Sequence, residues 1–84
     1  MVDIEQFHRE VCAFLHDTLG VQVGDIGPDT ELITTGLLDS MSVVRLAAYL
    51  ERRFQLVIPD LDIEVDHFNS ISKISSYLEA RLGS

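Results

Sequence analysis

Apolar positions along the chain recur mostly at helical spacing. Ile4, Phe7, Val11, Leu15 and then Thr18 or Leu19 fall on one face, with Phe14 on its flank. Residues 3–19 are therefore predicted as an amphipathic helix that ends at Gly20. Between 20 and 38 the periodicity stops, and Gly20, Gly24, Gly27, Pro28 and Gly36 mark a long loop. A loop of that length in a small domain is uncommon and is usually functional or pinned by its own side chains. Ile26, Leu32, Ile33 and Leu37 are the expected pins. A second helix is predicted over 39–54, and a last one over 70–82, capped by Asn69 or Ser70 with Ile71, Ile74, Leu78 and Leu82 inward.

The second helix carries two apolar stripes where one would serve its own core. Val43, Leu46, Ala47, Leu50 and Phe54 share one face; Met41, Val44 and Ala48 share another, beside Arg45 and Arg52. The second stripe is expected to dock a partner; the alternative is packing beneath the loop. Residues 55–69 are ambiguous. Leu56-Val57-Ile58-Pro59 reads as an extended exit from the helix, and Asp60 to Val65 alternates at period two, which taken alone indicates a strand.

Composition narrows the function. Eighty-four residues, 46% of them hydrophobic, make one domain with a core (residues 1–84), near the lower size limit for stability. A net charge of −8 disfavours nucleic acid and anionic membrane as partners. No apolar run reaches the roughly 20 residues of a membrane span. Met1-Val2-Asp3-Ile4-Glu5 lacks a basic start, so no signal peptide is expected and a cytoplasmic domain is. Cys12 has neither a disulfide partner nor metal-site spacing. The acids Asp60, Asp62, Glu64 and Asp66 fail as a calcium loop, because the sixth and twelfth positions hold Val65 and Ile71. No metal is expected.

Chemistry concentrates at Gly36-Leu37-Leu38-Asp39-Ser40-Met41, where loop becomes helix. Asp39 is a good N-cap, and Ser40 then sits at the positive end of the helix dipole, where an attached anion is stabilised. A catalytic serine would need a base and an oxyanion hole. The surroundings are not Gly-x-Ser-x-Gly, and nothing in the sequence brings His8, His16 or His67 to Ser40. A plain capping serine is the simpler alternative.

These six residues resemble the prosthetic-group site of the acyl and peptidyl carrier proteins, and the similarity extends over nearly the whole chain. The resemblance implies an all-α, four-helix carrier bundle of three longer helices and one short, the short one near residues 62–68. It implies 4′-phosphopantetheine from coenzyme A on Ser40, with Asp39 assisting the Mg²⁺-dependent transfer. The domain would then be a non-catalytic carrier, with no catalytic residues of its own, presenting a thioester. Its partners would be a phosphopantetheinyl transferase, an adenylating ligase or acyltransferase that loads the thiol, and a downstream acyl-accepting enzyme. Leu38, Met41, Val44, Arg45 and Ala48 are the expected docking residues, on a monomer.

Carriers of fatty acid synthesis usually have a strongly acidic second helix. Here Glu51 stands against Arg45, Arg52 and Arg53. The pattern is more similar to freestanding aminoacyl and D-alanyl carriers. The alternatives are an acyl carrier of fatty acid or polyketide synthesis, or, in another class, an unmodified helical adaptor.

Overall fold

A computed structural model describes residues 2–83. Four helices follow in order: α1 (Ile4–Leu19), α2 (Ser40–Phe54), the short α3 (Val65–Phe68) and α4 (Ile71–Leu82), with a 3-10 turn at Asp60–Asp62 before α3. No strand occurs among the described residues. The expected all-α carrier bundle, with its long loop between α1 and α2, is the architecture observed.

Local chemistry explains the ends of these helices. The Asp3 carboxylate accepts bonds from the Glu5 and Gln6 amides at the start of α1. Gly20 closes α1 at φ 70°, a left-handed conformation that costs glycine little. At the end of α2 the same role falls to Gln55, at φ 55°. Ser70, rather than Asn69, caps α4: its Oγ accepts from the Lys73 amide at 3.1 Å. The Pro28 carbonyl accepts from Ser72 N at 2.8 Å, so the loop satisfies another free amide in the first turn of α4.

α1 and α2 run antiparallel. Phe7 meets Phe54 near one end, with centroids 5.9 Å apart, and Phe14 stacks on Tyr49 at 4.6 Å further along. Arg53 pairs with Glu10 across the same seam. α4 packs against α1 and α3. The core is the apolar faces together: Phe7, Val11, Leu15, Val43, Leu46, Leu50, Phe68, Ile71, Ile74 and Leu78, with Ile26, Leu32 and Leu38 contributed by the loop.

Several expected inward residues lie nearer the surface. Ile4 and Leu82 sit in the terminal turns and are substantially exposed; at the end of α1 it is Leu19, not Thr18, that packs against the core. Leu37 was an expected pin but is 42% exposed, while Leu38, an expected docking residue, is 2% exposed. The turn ending at Gly36 (φ 80°) sets this parity: it delivers Leu38 inward, where its amide bonds the Leu32 carbonyl at 2.9 Å. The third helix begins at Val65 instead of residue 62, because Asp62 and Ile63 bond back to Pro59 and Asp60 in the 3-10 turn.

Candidate functional site

Ser40 is the first residue of α2, and Asp39 caps it. The Asp39 carboxylate accepts from Ser42 N at 2.8 Å, and its carbonyl accepts from Val43 N at 3.0 Å. The Ser42 amide is the largest influence on Asp39: it holds the carboxyl below its ordinary pKa, with the Ser42 side chain and the charge of Arg45 acting in the same direction. Asp39 therefore stays an anion wherever the helix is folded near neutral pH.

Ser40 is exposed, and its hydroxyl has no hydrogen-bond partner among the described residues. It stands where the N–H groups of Ser40 and Met41 have no intrahelical acceptor, at the positive end of a fifteen-residue helix. That geometry fits a phosphodiester on the serine oxygen. The hydroxyl is open to solvent, and the single remaining negative charge would lie by free amides and the helix dipole.

The part of the loop nearest this corner is held by Asn69 and by its own backbone. The Asn69 side-chain oxygen accepts from Ile33 N at 2.9 Å and Thr34 N at 3.1 Å. The Asn69 carbonyl accepts from Leu32 N at 2.7 Å, and Leu38 N closes on Leu32 O. Asn69 is buried. Its role was not visible in the sequence, where it reads as one of two possible caps for the last helix. No local signal marked it, because Asn69 stands in a mixed stretch, Asp66-His67-Phe68-Asn69-Ser70-Ile71-Ser72, and its partners are some thirty-five positions away.

Among the expected docking residues, Met41 is 64% exposed and Val44 51%, and Arg45 and Ala48 are exposed beside them. Leu38 does not join this surface. It is a core residue, and its contribution is to fix the loop just before Asp39.

Each histidine is engaged away from Ser40. His8 Nε2 donates to the Ile26 carbonyl at 2.7 Å, and Cys12 Sγ lies 3.6 Å from the same nitrogen. Burial pushes the Cys12 thiol pKa up, which disfavours the thiolate. His16 contacts its neighbour Asp17, and His67 Nδ1 donates to the Asp62 carbonyl. No hydrogen bond joins a histidine to Ser40 among the described residues. No group of three His, Cys, Asp or Glu residues among them could hold a metal ion, and no described helix is long and apolar enough to cross a membrane.

The family described as "Phosphopantetheine attachment site" matches residues 9–78. The chain is 32% identical over 75 residues to a D-alanyl carrier protein of Leuconostoc citreum, covering 89% of this chain and 95% of that one. It is 38% identical over 69 residues to Polyketide synthase 1 of Metarhizium brunneum, covering 82% of this chain but 3% of that much larger protein. A solved chain described as "Crystal structure of FAD-dependent dehydrogenase" superposes with a TM-score of 0.67 at 28% identity, over 77% of this chain and 92% of that one. With the family match spanning most of its length, the chain belongs to the phosphopantetheine-binding carrier proteins and bears a covalently attached 4′-phosphopantetheine.

Proposed function

We propose that Ser40 is the attachment residue and that the chain is a freestanding carrier of an aminoacyl or acyl group. The observation that carries this reading is the Ser40 hydroxyl, exposed and unbonded on the first turn of α2 beside the Asp39 cap. When attached, the arm supplies a mobile thiol on which cargo is held as a thioester. The chain's own residues position that arm: Asp39 and the pinned loop hold the helix start, and the outward face of α2 meets partners. Asp39 also assists the transfer as an acidic neighbour of the hydroxyl.

The partners proposed are a phosphopantetheinyl transferase, an adenylating ligase or acyltransferase that loads the thiol, and a downstream enzyme that accepts the group. The solved neighbour is described as an FAD-dependent dehydrogenase, which makes a flavin enzyme acting on the tethered group, without taking it off the thiol, a further candidate partner. The aminoacyl reading is favoured by the match to nearly the whole of a D-alanyl carrier protein. A second reading, an acyl carrier of polyketide synthesis, has the match to a segment of a polyketide synthase in its favour. Both readings place the chain in the cytoplasm, as a monomer.

Intact mass decides the attachment. After incubation with coenzyme A and a broad-specificity phosphopantetheinyl transferase, the wild type should gain one phosphopantetheine and Ser40→Ala none. A gain by both would move the site elsewhere, and a gain by neither would return the chain to an unmodified adaptor. Charging the product with an adenylating ligase and its amino acid, against an acyltransferase and its acyl donor, separates the two carrier readings.

A further inference from the structure

The outward face of α2 combines an apolar strip with two cations that form no direct ion pair among the described residues. At about 100° per residue, Val44, Ala48, Met41, Arg52 and Arg45 fall in that order within roughly 100° of arc, opposite the core face. All five are exposed. Arg53 and Arg81 are occupied, Arg53 on Glu10 at 2.9 Å and Arg81 on the Tyr77 hydroxyl and the Val57 carbonyl, whereas Arg9 on α1 is exposed and, like the α2 pair, makes no ion pair with a described residue. Arg45 and Arg52 form no ion pair or hydrogen bond with any described residue. Glu51, the single acid within α2, is turned to the Ile58 amide at 2.8 Å. Arg45 is near enough to Asp39 to help lower its pKa, yet in a chain of net charge −8 no acid among the described residues comes within ion-pair distance of either Arg45 or Arg52.

We propose that this face docks a protein partner whose contact surface is an apolar strip edged by carboxylates. The inference rests on the carrier reading above and goes beyond it by naming the partner's charge. Met41, Val44 and Ala48 supply desolvatable area, and two guanidinium groups along one edge offer bidentate bonds that Asp or Glu side chains match. A basic partner would meet Arg45 and Arg52 at close range and be opposed there, although the overall field of the chain would draw it in. The local arrangement, not the net charge, therefore selects the partner.

Two designed amphipathic helical peptides test this: one apolar face in common, with Glu on both flanks in one and Lys in its twin. Binding is read by the amide shifts of ¹⁵N-labelled protein. The Glu peptide should perturb residues 41–52 and bind this face about fivefold more tightly than the Lys peptide, as two exposed pairs would allow. That preference should shrink between about 20 mM and about 0.5 M NaCl. In an Arg45→Glu, Arg52→Glu double variant, checked for unchanged helicity, it should reverse. Equal or tighter binding of the Lys peptide on α2, no perturbation of α2 by either, or a preference that survives the double substitution would each overturn the proposal. Mass gain with coenzyme A and transferase tests the carrier reading independently, so failure of one is distinguishable from failure of the other.

Discussion

The side-chain oxygen of Asn69 accepts the amide of Ile33 at 2.9 Å across thirty-six positions of sequence. It ties the middle of the long loop to the junction of α3 and α4, and it is buried. Through this bond the placement of Ser40, seven residues beyond Ile33, depends on a residue in the last third of the chain.

Replacing Asn69 with Ala strands the part-buried Ile33 and Thr34 amides, and their loss should cost about 1 kcal/mol, the lower end of the range for a fully buried donor. Urea denaturation should show a loss of that size. Hydrogen exchange should quicken at Leu32, Ile33, Thr34 and Leu38 before it quickens in α1. Unchanged exchange there would show that the loop is held by its apolar pins alone.

Adjacent leucines should behave oppositely. Leu38→Ala opens a cavity in a closed core and should cost about 2–5 kcal/mol. Leu37→Ala removes an exposed side chain and should stay within about 0.5 kcal/mol. Thermal melts of the two variants check the parity set by the turn at Gly36.

Acid should loosen the start of α2. The folded pKa of Asp39 lies below its ordinary 3.8, first because of the Ser42 amide. A carboxylate depressed in this way contributes stability that is present above the unfolded value and is lost as pH falls through the folded one. The difference in melting temperature between wild type and Asp39→Asn should therefore be constant at neutral pH and narrow below about pH 4. A difference that stays constant down to about pH 2.5 would mean the carboxylate charge adds nothing to the cap.

Gln55 pays for its left-handed conformation at the end of α2. The side chain is exposed, so Gln55→Gly should stabilise the fold by about 0.5–1 kcal/mol without touching a contact. Equilibrium denaturation measures it, and a loss of stability would show that the Gln55 side chain makes a contribution of its own.

Much of the architecture was legible because helical periodicity and end signals are local. Gly20 and Asp39 act within one turn of themselves and were visible as end signals, whereas the capping by Asp3 and the choice of Ser70 over Asn69 came from the structure. The last third was less legible. Period-two alternation from Asp60 to Val65 has the form of a strand, but the chain offers no second strand to complete its hydrogen bonds, and the backbone turns instead. Asp62 is drawn into a cluster in which it accepts from the Tyr77 hydroxyl at 2.7 Å, while Arg81 donates to that same oxygen. Leu61 is left 88% exposed.

Sequence by itself determined the three longer helices, the loop, and the serine at a capped helix start, because each follows from contacts a few residues apart. Only the tertiary structure decided which of Leu37 and Leu38 enters the core, that Asn69 rather than apolar packing alone anchors the loop, and which arginines remain unpaired. Those outcomes depend on parity through a glycine turn and on partners dozens of residues away. No local pattern encodes them, since burial and pairing are settled only when the helices close on one another.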